Sequence, residues 1–253
     1  MDHETQEKRE RLHHNLINMW NFYDEVEQYV GDKGESQDIP DFSSYVQSVI
    51  KEPKDQFIET IEISNIHQLA SLIKSCSRCP LSEKRTHAVP GEGVINAKVM
   101  IIGEGPGGSE DVAGIPFVGE AGVYLESWLK AISLNRKENV FITNVVKCRP
   151  PLNRDPENSE LTTCFPFLEK QIALIKPEAI LCLGKVASNH ILGKKGTLSS
   201  LRGQFYNYHS IPLLVTYHPS AVLRNESLKG AVWQDLQMLA GFLNLPIKRK
   251  GSS

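Results

Sequence analysis

The sequence lacks any run of about 18 apolar residues, the length a helix needs to cross a bilayer, and its mean hydropathy is -0.28. No membrane span is expected. The first residues, MDHETQEKRERLHH, are charged and lack the apolar core of a secretory signal. An even cysteine count is missing too: the five are Cys76, Cys79, Cys148, Cys164 and Cys182, so a disulfide framework is not expected. These absences point to a cytoplasmic protein with reduced thiols. Internal repeats are also absent. The rest is ordinary for a soluble chain: 253 residues, 40% hydrophobic and 23% charged, enough to bury a core without staples.

The net charge of -2 conceals an asymmetry. Residues 1–65 carry 6 basic and 15 acidic side chains, whereas residues 66–253 carry 22 basic and 15 acidic ones. An acidic head on a basic body suggests that the body meets a polyanion and the head does not. In the head, Leu12, Leu16, Met19, Trp20, Tyr23, Val26 and Val30 recur at helical spacing, predicting a long helix over 4–30 followed by the linker GDKGESQDIPD. Residues 246–253 read as a basic tail.

From residue 66 a regular alternation begins. Four apolar runs, AKVMIIG (97–103), NVFITN (139–144), EAILCLG (178–184) and IPLLVT (211–216), alternate with segments of helical periodicity at 123–132, 159–175 and 228–243. Strands apolar on both faces, alternating with helices, predict a parallel sheet between helical layers. Ligands of such sheets sit where strands end. The glycine-rich and polar motifs lie there: GEGPGG, TNVVKCRPP, LGK and YHPSAVLR.

Cys76 and Cys79 form a C-x2-C pair, and Cys148 and Cys164 a wider second pair across the loop RPPLNRDPENSE. Four thiolates in a reduced compartment suit zinc or an iron–sulfur cluster. A metal closing that loop would hold Arg149 and Arg154 toward a partner. Cys182, inside an apolar run, reads as a small core residue. The loop from Gly103 to Gly108 matches G-x-G-x-x-G after a strand. A dinucleotide site would need a helix to follow at once, and the chain instead runs through SEDVAGIPFVGEAG, with the next helix expected near Gly122. Glu104 within this loop is placed to orient or activate a water. Phe117 reads as a core plug or a stacking surface, Asn144 as a turn residue or a reader of a base edge. His218 reads as a turn histidine or a donor to a developing anion, and Val222, Leu223 and Arg224 as a loop anchor or an apolar wedge beside a phosphate contact.

In this order, CSRCPL, GEGPGGSEDVAGIPFVGEAG, TNVVKCRPPLNRDPENSELTTC, LCLGKVA and HPSAVLR resemble the motifs of the family 4, iron–sulfur, uracil-DNA glycosylases of the uracil-DNA glycosylase superfamily. The resemblance runs from Cys76 to about Leu243, and the first 65 residues have no counterpart in the family core. It implies a three-layer α/β/α sandwich around a short, mostly parallel four-stranded sheet, here with an added N-terminal helical extension (1–65) on a glycosylase-like domain (66–245). It implies a [4Fe-4S] cluster on Cys76, Cys79, Cys148 and Cys164 and hydrolysis of the N-glycosidic bond of uracil in single- or double-stranded DNA. By the same resemblance Glu104 positions water, His218 and the backbone at Gly105 stabilise departing uracil, and Phe117 stacks on it. Asn144 reads its O4/N3 edge and Glu110 lies near C5. Val222 or Leu223 fills the gap in the DNA, with Arg149, Arg154 and Arg224 as further DNA contacts. Ala221 stands where many members carry an aromatic. A monomer is expected, with the N-terminal helix as a docking arm for another protein or for self-association. Two other readings stand beside it: a catalytically idle iron–sulfur nucleic-acid-binding module of the same fold, and a nucleotide-dependent oxidoreductase using GEGPGG.

Overall fold

The computed structural model describes residues 63–247. The expected helix over 4–30, its linker and residues 248–253 of the tail lie outside the described residues. In chain order the elements are α1 (Ile66–Ser75), α2 (Leu81–Lys84), β1 (Glu92–Gly93), β2 (Val99–Gly103), α3 (Gly108–Ala113), α4 (Glu120–Ala131), β3 (Val140–Asn144), α5 (Asn158–Ile175), β4 (Ala179–Leu183), α6 (Lys185–Leu192), α7 (Leu198–Leu201), β5 (Phe205–Tyr208), β6 (Ile211–Thr216), α8 (Pro219–Arg224) and α9 (Lys229–Phe242).

The strands form one sheet in the order β1-β3-β2-β4-β6-β5. The four expected strands are its parallel centre, and β2, β3 and β4 are buried along their whole length. The sheet has six strands rather than four because β1 and β5 add antiparallel edges. Neither announces itself as an apolar run: β1 is an exposed Glu-Gly pair, and β5 is the half-exposed FYNY. Side-chain alternation splits the core into two layers. Met100, Ile102, Phe141, Ile180, Cys182, Leu213 and Val215 face one side with residues of α1, α5 and α6. Val99, Ile101, Val140, Ile142, Leu181 and Leu214 face the other with residues of α4 and α9. Cys182 is fully buried there, as its apolar run implies.

A second departure concerns the glycine loop. A six-residue helix, α3, does start right after it. Its N-terminus is not open to a phosphate, because the Glu110 carboxylate turns back and accepts from the Gly107 N–H at 3.1 Å. A negative group already sits where a pyrophosphate would bind.

Chain order reverses between β2 and β4, so the crevice at the carboxyl ends of these strands is the topological switch point. The β6 end of that rim is tied to the helical layer by a buried ion pair. Asp235 on α9 accepts from Thr216 Oγ1 at 2.7 Å and from Arg202 Nε and Nη2, each at 3.0 Å. Asp235 is fully buried. Removing one partner of such a pair leaves a charge in a dry site. Arg202→Ala is therefore expected to lower the unfolding free energy by about 3 kcal/mol, measured by chemical denaturation.

Candidate functional site

Gly103 ends β2 and is paired in register with Asn144, which ends β3. A Cβ on Gly103 would collide with Asn144 Oδ1 and come within 2.7 Å of Phe117 Cζ. Glycine is thus required for these two side chains to meet above the strand ends. Asn144 Oδ1 is buried and has no hydrogen-bond partner. An unpaired buried acceptor costs about 1–3 kcal/mol, so it marks a place where a donor is missing.

His218 follows β6 and caps α8. Its Nδ1 accepts from the Ser220 N–H at 3.2 Å and lies 2.8 Å from Ser220 Oγ. A ring nitrogen that accepts from an amide carries no proton, so the hydrogen sits on Nε2. Burial, then the nearby Arg224 charge, pushes the ring pKa down to about 4 against the opposing influence of Glu110. At neutral pH the ring is an uncharged donor through Nε2–H. Its centroid is 5.5 Å from that of Phe117, so the two rings share one pocket with Asn144. Gly184, at φ 90°, ends the turn after β4, and a Cβ there would press within 3.3 Å of His218 Cβ.

Phe117 is 7% exposed and sits at φ 53°, a left-handed backbone that is costly for an aromatic residue. Two charged side chains hold it there. Arg136 donates to Pro116 O at 2.8 Å and Phe117 O at 2.9 Å, and is itself paired with Glu126 and Glu92. Glu110 accepts from Val118 N at 2.9 Å and Gly119 N at 2.8 Å. Gly122 leaves room for the bend, since a Cβ there would overlap the Phe117 carbonyl. The Glu110 carboxylate is therefore engaged by three backbone N–H groups, counting Gly107, and fixes the loop that carries Phe117.

Glu104 is half-buried, and burial together with the Asp155 charge raises its pKa to about 7. Near neutral pH it exchanges readily between acid and base forms, as a group handling a water proton must. Gly105 packs against Val146, where a Cβ would come within 2.7 Å of Cγ2.

The residues read as DNA contacts divide. Val222 is fully buried in the core, so its side chain is not available to a base stack, whereas Leu223 is 39% exposed. Arg154 stays partly exposed while its Nη1 and Nη2 clasp the buried Glu160 carboxylate at 2.8 and 2.7 Å. Arg224 is exposed, and Arg149 donates to Asn153 Oδ1 at 2.8 Å with its guanidinium against Gly108.

Cys76, Cys79, Cys148 and Cys164 line one small cavity together with Arg78, Arg85 and Lys147. Burial pushes the Cys79 and Cys148 thiols up and Cys164 to about 12. Two donors nevertheless point at sulfur: Arg85 Nη1 at 2.9 Å from Cys148 Sγ, and Lys147 N at 3.3 Å from Cys164 Sγ. Such bonds support sulfur that carries negative charge. Among the described residues no three His, Cys, Asp or Glu side chains gather around a point suited to one metal ion.

Lys147, Arg85 and Arg136 were not singled out from the sequence. Lys147 is fully buried, and its Nζ donates to Thr143 Oγ1, Asn144 O and Gln171 Oε1 at 2.8, 2.5 and 2.7 Å. Burial lowers its pKa to about 7 despite the nearby Cys164 and Cys148. It thus joins the cysteine cavity to the backbone of Asn144.

The sheet is parallel at its centre and brings the unpartnered Asn144 amide to its switch point, the place where α/β folds of this class bind ligands. The chain belongs to the uracil DNA glycosylase superfamily, whose model matches residues 90–237. Within it the similarity falls on the type-4 branch. The chain is 44% identical over 185 residues to the type-4 uracil-DNA glycosylase of Pyrobaculum aerophilum, covering 70% of this chain and 94% of that protein. It is 41% identical to that of Sulfurisphaera tokodaii, covering 70% and 84%, and 40% identical to that of Thermotoga maritima, covering 71% and 93%.

If Arg136 clamps the Phe117 loop, Arg136→Ala will speed hydrogen–deuterium exchange at Val118 and Gly119 while the β2 and β3 amides keep their protection. Unchanged exchange at both loop amides would contradict the clamp.

Proposed function

We propose that this protein is a DNA repair hydrolase that flips uracil out of DNA and cleaves its N-glycosidic bond, leaving an abasic site for base excision repair. The observation that carries the reading is the unpartnered Asn144 Oδ1 beside a neutral His218. Uracil offers an N3–H to that acceptor and an O4 to the amide donor of the same side chain. Cytosine has an acceptor at N3 and a donor at C4, so a fixed amide rejects it. Oδ1 is closed to solvent with the Phe117 ring packed over Gly103, so a base can reach it only if that ring moves aside. Glu110, by holding the same loop, keeps the wall near C5 in place against thymine's methyl group.

In the reaction the bond between uracil N1 and the sugar C1′ breaks, and its electron pair leaves with the base. His218 Nε2–H, with the backbone at Gly105, meets the negative charge that grows on uracil O2. Water adds its oxygen to C1′, and its proton passes to the Glu104 carboxylate. A neutral histidine suffices, because its N–H strengthens as a hydrogen-bond donor when the oxygen becomes anionic. Leu223 fills the space left in the stack, with Arg224 and Arg149 on phosphates.

The four thiols fit a [4Fe-4S] cluster held by Cys76, Cys79, Cys148 and Cys164. They line one cavity, and two N–H donors face their sulfurs. When bound there, the cluster would supply a structural tie, with Cys76 and Cys79 joining the α1–α2 turn to Cys148 in the loop after β3 and Cys164 on α5. A cytoplasmic monomer is the reading that free thiols and a DNA substrate support. Among the described residues no helix is long and apolar enough to cross a membrane.

Uracil release from a labelled oligonucleotide tests the reading. Glu104→Ala, Asn144→Ala and His218→Ala are each expected to lose about 10- to 1000-fold, and unchanged turnover in all three would move the site elsewhere. Glu104 works ionised, so the rate should rise as pH climbs through about 7. His218 is already neutral above about 4 and adds no second limb there. Glu104→Gln should flatten that limb. Cys164→Ser is expected to abolish the broad visible absorption of the purified protein and lower its melting temperature.

A further inference from the structure

The loop after Cys148 presents a feature that the pocket does not use. Leu152 is 97% exposed, more than any other large apolar residue among those described, and sits at φ 55°, ψ 20°. Asn153 follows at φ 55°. A left-handed leucine is sterically unfavourable, and a bare aliphatic side chain gains nothing from water. The surrounding loop nonetheless enforces this pose. Asn153 N donates to Pro150 O at 3.0 Å and Arg154 N to Pro151 O at 3.1 Å. Arg149 ties down the Asn153 side chain, and Arg154 is clasped by Glu160. A rigid loop thus holds an apolar tip outward at a conformational cost, which points to an occupant outside the chain.

The loop also borders the pocket. Pro150 Cδ lies 3.6 Å from where a Gly105 Cβ would be, and the Asp155 charge acts on Glu104. Three residues before Leu152, the Arg149 guanidinium lies over Gly108 with its Nε on Asn153 Oδ1, and among the described residues its Nη1 and Nη2 donate to no protein acceptor. A free cation next to an exposed aliphatic tip is the pairing that meets a phosphate and a base stack together. The basic balance of residues 66–253 favours the same polyanionic occupant.

We propose that Leu152 is a second apolar wedge, inserted into the base stack of double-stranded DNA beside the extruded nucleotide, with Arg149 on the adjoining phosphate. This rests on the glycosylase reading above. Its consequence is confined to duplex substrate, where pairing and stacking must be broken before the base can leave. Single-stranded DNA presents no partner strand to hold apart.

The test is single-turnover uracil release by the full-length wild type and by Leu152→Gly, on the same oligonucleotide single-stranded and annealed opposite guanine. Glycine tolerates the left-handed backbone, so Leu152→Gly should fold at least as stably as wild type. The expected result is about a tenfold loss on duplex with less than about a twofold change on single strand, and recovery of the duplex rate in Leu152→Met. Equal losses on both substrates, or no loss on duplex, would overturn the wedge. Wild type that releases uracil from neither substrate would instead overturn the glycosylase reading itself.

Discussion

Nothing larger than hydrogen fits on the Cα of Gly103, and the site depends on that. The missing methyl lets the Asn144 amide and the edge of the Phe117 ring occupy the same few ångströms above the strand ends. Because β2 and β3 are paired in parallel with Gly103 opposite Asn144, the amide is delivered there by sheet register rather than by a flexible loop. The result is an acceptor that the protein itself does not satisfy. A buried polar atom left unpaired destabilises the fold, and it persists where an incoming ligand supplies the partner.

Around that point each neighbour is held from behind. Phe117 owes its left-handed backbone to Arg136 and Glu110, which grip the loop from opposite sides. His218 is fixed in one tautomer by the turn it caps, and the strand that leads to it is anchored through Thr216 and Asp235. Lys147 runs from the cysteine cavity to the Asn144 carbonyl through a network that also takes in Thr143, Gln171 and Pro90. A cluster bound by the four thiols would therefore brace the recognition side chain as well as the loop after β3, without taking part in the chemistry. Placing donors in advance, in a site from which water is largely excluded, is how a small pocket stabilises a departing anion.

Much of this was legible in the residues. The four parallel strands are apolar on both faces, so their runs stand out, and the motifs sit at their carboxyl ends because loops there are free to vary. The four cysteines read as one set do line one cavity, and Phe117 packs near both Asn144 and His218. What stayed hidden depends on partners distant in sequence. Arg136 is 19 residues from the carbonyl it holds, and nothing in its local sequence marks it. Lys147 reads as a surface cation until the fold places Gln171, 24 residues on, against its amine. Glu160, six residues on, clasps Arg154, and α8 turns Val222 into the core, neither of which a local pattern marks. The edge strands β1 and β5 carry no apolar run, and α3 is too short for periodicity to register.

The central claim is that Asn144 Oδ1 is the atom that recognises the base. A crystal structure of the wild-type protein soaked with free uracil addresses it most directly. The account predicts uracil N3 within about 3 Å of Asn144 Oδ1, the Phe117 ring against the base face and uracil O2 turned to His218 Nε2. Uracil bound elsewhere, or bound with Asn144 Oδ1 still lacking a partner, would contradict it.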